Sequence, residues 1–188
     1  MKKVLLFLMA AVVSAAVYAQ APDTTSYLSN KNIPPISLIQ GDSSLFTNKD
    51  IPAGKPVVII YFSPECGHCQ LTAQEIKNNI DSVKDAFFVW VSYFPVPEIK
   101  DFAIKYKLAQ YDNFKFGRDP KYAIPSFYKV KFTPFMAVYN TNGRLMQTFD
   151  QGTTPETLSA LVRKAIADSN KPAGKAAKRS LKKHAPAK

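Results

Sequence analysis

Val57 to Phe62 (VVIIYF) is an unbroken run of six β-branched and aromatic residues. A strand of that composition has no face to offer water, so it must sit inside a sheet that is covered on both sides. Ala53-Gly54-Lys55-Pro56 breaks the chain before it. After it, from about Cys66, the pattern turns helical, with Leu71, Ile76 and Ile80 apolar among Thr72, Gln74, Glu75, Lys77 and Asn78. A second run, Ala86 to Val91 (AFFVWV), follows. Strand, helix, strand in that order predicts a parallel crossover unit and an α/β class.

Shorter elements surround this unit. Ile36 to Ile39 and Ser44 to Phe46 read as two short strands around a Gly41-Asp42 turn. Glu98 to Leu108 reads as a helix with Ile99, Phe102, Ala103, Tyr106 and Leu108 on its apolar side. Asn113 to Phe116 reads as a short strand, and Tyr122 to Lys129 as a helical turn interrupted by Pro125. These form an inserted segment ahead of a third buried strand, Phe135 to Tyr139, with Pro134 at its mouth, where a missing amide is tolerated. Asn140 to Gly143 is a hairpin turn, and Arg144 to Phe149 the returning strand. Thr154 as N-cap and Pro155 at the first helical position open a closing helix through Leu158, Leu161, Val162 and Ile166.

The two ends carry most of the charge. Lys2 and Lys3, an apolar stretch from Val4 to about Val17 and the triplet Val17-Tyr18-Ala19 predict a signal peptide over 1–19, with Gln20 first in the mature chain. That apolar stretch is shorter than the roughly 20 residues of a membrane anchor, and no cysteine follows it to carry a lipid. Residues 20–32 read as a polar leader, 33–168 as the folded domain, and 169–188 as a basic tail too poor in apolar residues to order itself. Of the formal net charge of +11, the tail holds +7 and the signal +2, which leaves the domain nearly neutral. A nucleic-acid partner is therefore not expected. The tail reads as solubilising, with weak contact to anionic surfaces as its alternative role. Export, here to the bacterial periplasm, puts the chain where disulfides form and persist.

Cys66 and Cys69 are the only cysteines and straddle the strand–helix junction. By position alone they could be a redox pair, half of a metal site or a structural clip. Zinc needs about four ligands. The domain offers these two thiols and His68 between them, so no metal site is expected, and nothing calls for a cofactor.

Cys66-Gly67-His68-Cys69 at a helix start after a buried strand, Thr133-Pro134 opening a later strand, an Asn-Gly hairpin and a closing helix together resemble the thioredoxin fold. The leading hairpin before Gly54-Lys55-Pro56-Val57-Val58 and the insertion between Val91 and Phe132 resemble the exported TlpA/ResA-type thiol:disulfide oxidoreductases, over about residues 33 to 168. The resemblance implies a central mixed β-sheet flanked by helices, with an N-terminal hairpin and a helical insertion. It implies Cys66 as the exposed nucleophile, activated at a helix N-terminus, and Cys69 as the buried resolving thiol, joined as a Cys66–Cys69 disulfide when oxidised. His68, beside Gly67, would tune Cys66. Thr133 and a cis Pro134 would hold an extended substrate segment and keep metal ions off the thiols. Glu65, Glu75 and Lys55 are charged candidates for further tuning.

Implied partners are exported proteins with thiols or disulfides and a redox partner that regenerates the active state. The reductase direction stands slightly ahead of oxidase or isomerase, although Gly67-His68 resembles the more oxidising isomerases. A copper chaperone of this fold would want a CxxxC spacing and a distant histidine, and a non-catalytic binding module has no need of Thr133-Pro134. Two positions depart from the thioredoxin pattern: Glu65 stands where tryptophan is common, and Ile60 where a buried aspartate usually accepts the proton of the second cysteine.

Overall fold

The computed structural model describes residues 26–169; the stretch expected to be a signal peptide and nearly all of the expected basic tail lie outside the described residues. Its strands are β1 (Ser37–Ile39), β2 (Leu45–Thr47), β3 (Val57–Tyr61), β4 (Phe87–Ser92), β5 (Phe114–Arg118), β6 (Phe135–Tyr139) and β7 (Leu145–Phe149). The helices are α1 (Ser26–Ser29), α2 (Gly67–Asn78), α3 (Ile80–Val83), α4 (Val96–Lys105), α5 (Ala123–Tyr128) and α6 (Pro155–Ser169). All seven strands form one mixed sheet in the order β2-β1-β5-β4-β3-β6-β7.

The crossover unit is parallel, with Val57 opposite Phe87 through to Tyr61 opposite Val91. A second parallel step carries the chain through α4 to β5. β6 runs antiparallel along the other side of β3, placing Tyr61 opposite Phe135. The carboxyl ends of β3, β4 and β5 and the amino end of β6 therefore meet at one end of the sheet.

Alternation along these strands builds two cores. Val58, Ile60, Phe62, Phe88, Trp90, Met136 and Val138 face one way and pack under α2, α4 and α6 through Cys69, Ala73, Ile76, Phe102, Leu158 and Val162. Val57, Ile59, Tyr61, Phe87, Val89, Val91 and Tyr139 face the other way and meet Ile124 and Tyr128 of α5. Phe62, Trp90 and Phe102 lock the first layer by edge and tilted ring contacts. The Tyr128 and Tyr139 hydroxyls hydrogen-bond each other in the second, so neither is buried unsatisfied.

Two details depart from the sequence reading. The helix after Cys66 stops at Asn78, because Asn79 turns its side-chain amide onto the Glu75 carbonyl, and it resumes as α3. Residues 26–29, read as leader, form α1, whose Tyr27 ring packs 5.6 Å from that of Tyr128. The N-terminal hairpin joins the main sheet antiparallel through Ile39 and Arg118. Gly117 permits that join: a Cβ there would lie 2.7 Å from the Leu38 Cβ and 3.2 Å from the Ile39 carbonyl.

Gly117→Ala is therefore expected to push β1 off β5 at a cost of about 1–3 kcal/mol, the usual penalty for overpacking. Urea unfolding reads the loss, and hydrogen exchange should show it first in β1 and β2.

Candidate active site

β3 ends at the buried Tyr61, Phe62 after it is buried too, and the chain leaves the core through Ser63, Pro64 and Glu65. The Cys66 amide donates to the Ser63 carbonyl at 3.1 Å, and the Cys66 carbonyl accepts from the Gln70 amide at 3.0 Å. Cys66 is thus the extended N-cap of α2, with φ −75° and ψ 118°. In that position a side chain looks at the free amides of the first turn. Cys69 lies one turn in, on the stripe that α2 buries with Thr72, Ala73 and Ile76.

The two thiols are consequently unlike. Cys66 is half-buried, Cys69 is wholly sealed, and both are free thiols. Burial pushes the Cys66 thiol up, but Thr133, the Cys69 side chain and the amides of Cys69 and His68 stabilise its thiolate and leave its pKa below the ordinary thiol value. In the neutral form the Cys66 thiol instead donates to the Thr133 carbonyl at 3.5 Å. For Cys69, burial dominates and pushes the thiol up to about 12, with Cys66 adding to the rise and the Ser63 backbone and Thr133 only partly offsetting it. One thiol is ready to ionise and the other holds its proton.

Thr133 and Pro134 face this pair from the start of β6, joined by a cis peptide bond. Behind them stands Gly152, at φ +78°, where a Cβ would come 3.1 Å from the Pro134 ring and 3.6 Å from the Thr72 hydroxyl. Sequence reading passed over Gly152, since a lone glycine after a strand looks like an ordinary turn residue. Gly67 is exposed, and a Cβ added there would meet nothing, so neither space nor conformation demands glycine at that point.

His68 lies exposed in the first turn and lines a groove of about 260 Å³ with Leu71, Thr72, Glu75 and residues 151–154. What the structure brings to the Cys66 sulfur is the His68 amide. Glu65 is exposed on the other flank, in a groove with Gln70, Glu98 and Phe102. Lys55 precedes β3, about 17 Å from the active end at some 3.3 Å per strand residue, and is not part of the site.

Ile60 is fully buried in the same core as Cys69. Among the described residues the only buried carboxylate is that of Asp119, which accepts from the Ile124 and Lys121 amides at 2.8 and 3.2 Å and lies near Tyr61, in the other core. Also among the described residues, no three His, Cys, Asp or Glu side chains come together to hold a metal ion.

A dithiol at a strand–helix turn, faced by a Thr-Pro loop on a mixed sheet covered on both faces, defines the thioredoxin-like class. A family model described as a thioredoxin-like domain matches residues 49–166, and the chain belongs to that family. No curated protein matches it. Among solved structures it is similar to Mycobacterium tuberculosis DsbF in mixed oxidized and reduced forms, at 22% identity over 69% of this chain and 94% of that one, TM-score 0.58. A secreted M. tuberculosis disulfide oxidoreductase homologous to E. coli DsbE is similar at 22% identity over 69% and 95%, TM-score 0.57. Copper-bound ScoI from Arabidopsis thaliana is similar at 17% identity over 73% and 99%, TM-score 0.58. At these identities the likeness establishes the shared fold.

Iodoacetamide titration of the reduced protein should label Cys66 with a midpoint below the ordinary thiol value of about 8.5, and leave Cys69 unlabelled through neutral pH. Equal labelling in peptide maps would refute the division of roles. Gly152→Ala should destabilise the fold by about 1–2 kcal/mol, since it forces a side chain into left-handed backbone. By displacing Pro134 it should also raise the Cys66 labelling midpoint, which the same titration reads.

Proposed function

We propose that this protein is an exported thiol:disulfide oxidoreductase, of the TlpA/ResA type, acting on protein substrates through Cys66 and Cys69. The observation that carries the reading is the contrast between the two thiols beside Thr133: one is partly open with its thiolate stabilised, and the other is sealed and protonated. A structural clip needs no such contrast. The lysine-led apolar start supports export to the periplasm.

In the reductase direction the Cys66 thiolate attacks one sulfur of a client disulfide, forming a mixed disulfide and releasing one client thiolate. Cys69 then attacks the Cys66 sulfur, losing its proton, and the second client thiol departs. Two electrons have passed to the client, and the protein is left with a Cys66–Cys69 disulfide for a dithiol partner to reduce. Ile60 offers no base, so the departing client thiolate is the acceptor in reach of the Cys69 proton. Thr133 presents its backbone to the client beside Pro134. His68 assists by stabilising the Cys66 thiolate, and no metal or cofactor takes part.

A second reading, oxidase or isomerase, draws on the same thiolate. Stabilising it stabilises the reduced protein and makes the pair more oxidising, as does the isomerase-like Gly67-His68.

A glutathione redox titration should place the pair between about −270 mV, the thioredoxin value, and about −180 mV, that of disulfide isomerase. Cys69→Ser should accumulate mixed disulfides with exported proteins. Clients trapped from their oxidised form support the reductase, and reduced, unfolded clients the oxidase. A pair without redox activity and without trapped clients removes the enzyme.

A further inference from the structure

Two exposed tyrosines stand at the active end of the sheet without a part in the exchange chemistry. Tyr93 follows the carboxyl end of β4 and is 40% exposed; Tyr122 follows the carboxyl end of β5 and is 49% exposed. Their rings stack with centroids 5.3 Å apart and planes 26° from parallel.

The backbone beneath them is tied down. The Asp119 amide donates to the Ser92 carbonyl at 2.7 Å, joining the two turns, and Arg118 Nε donates to the Tyr93 carbonyl at 3.1 Å. The buried Asp119 carboxylate accepts from Lys121 and Ile124, the residues on either side of the Tyr122-Ala123 step. Tyr122 itself is held at φ 52°, left-handed backbone that bulky residues rarely adopt. Strain of this kind persists only where surrounding bonds enforce it. What the bonds enforce here is a rigid aromatic face open to solvent.

That face stands at the same end of the sheet as the exchange site, after the carboxyl ends of β4 and β5. Tyr61 interacts electrostatically with Tyr122, Asp119 and Tyr93, and its strand partner is Phe135, next to Pro134. Phe132, 57% exposed, lies on the other side of Thr133. Four of the six large apolar side chains exposed among the described residues, Leu71, Tyr93, Tyr122 and Phe132, thus belong to the end that carries Cys66. Glutathione has no apolar side chain to place on the tyrosines. An extended polypeptide can bridge thiol and tyrosines.

We propose that the Tyr93–Tyr122 pair is a docking subsite for an unfolded segment of client polypeptide, taking an aromatic or large aliphatic side chain a few residues from the client cysteine. The proposal rests on the exchange function above and adds its substrate class. Rigid tyrosines suit the task because they give amphipathic contact area at little entropic cost.

Two measurements test it. In the first, a labelled, cysteine-free extended peptide carrying phenylalanine is compared by fluorescence anisotropy with the same peptide carrying serine. The unaltered protein should prefer phenylalanine about fivefold, within the range of one aromatic contact. Tyr93→Ser combined with Tyr122→Asn, which left-handed backbone tolerates, should abolish the preference. Leu45→Ser, at the far edge of the sheet, should keep it. Tyr93→Ser alone, which touches no strained backbone, replaces the pair where the double variant does not fold. Equal binding of both peptides by the unaltered protein, or a preference that survives the tyrosine changes, overturns the subsite. In the second, the tyrosine variant should exchange with oxidised glutathione at the unaltered rate while kcat/KM for a phenylalanine-containing peptide disulfide falls about fivefold. A parallel fall with glutathione also overturns the subsite. Absence of exchange with either substrate in the unaltered protein overturns the exchange function instead, and the anisotropy measurement still decides the subsite.

Discussion

Burial of β3 on both faces is the constraint from which the remaining architecture follows. With Val57 to Tyr61 excluded from water throughout, the sheet needs helices above and below it and neighbours on either side. The parallel partner β4 forces a crossover, and the crossover supplies α2; β6 closes the other side. A strand so enclosed can only return to the surface at its end. That exit, Ser63 to Glu65, sets Cys66 at the first turn of α2 and within reach of the start of β6.

The inequality of the thiols comes from the same packing. α2 is amphipathic and buries one stripe, and a spacing of three residues puts Cys69 on that stripe while Cys66 remains at the cap. Neither thiol depends on a charged neighbour. The ion pair between Lys84 and Asp81 lies away from the site. Cys66 is instead set by amides, a threonine and its partner thiol, groups fixed by the fold rather than by mobile side chains. Such tuning is less sensitive to salt than surface charge would be.

The insertion between β4 and β6 has a corresponding role. α4 covers the first core with Ile99 and Phe102, and β5 provides the edge on which the N-terminal hairpin pairs. Its turns then place Tyr93 and Tyr122 at the end of the sheet that carries Cys66. One segment extends the sheet, completes a core and shapes the surface near Cys66.

Periodicity and local chemistry carried a great deal of this in the linear chain. The unbroken runs at Val57, Ala86 and Phe135, the cysteine pair at a strand–helix change and the Thr133-Pro134 step needed no coordinates to be noticed, because each is a local property of residue type and spacing. Boundaries shifted by a residue or two, as at β5, where the strand runs on through Gly117 and Arg118. The absence of an acid at Ile60 was equally plain. What spacing could not convey was adjacency between distant segments. Gly152 against Pro134, Gly117 against Leu38, the hairpin edge on β5 and the Tyr93–Tyr122 stack each join residues whose meeting depends on how the sheet is ordered. Lys55 and Cys66 show the converse: they are near in sequence, yet an extended strand separates them across the domain. Residue type and short-range period decide which segments become strands and helices and which atoms can react; only three-dimensional packing decides which groups surround those atoms, and therefore which thiol ionises and what can dock beside it.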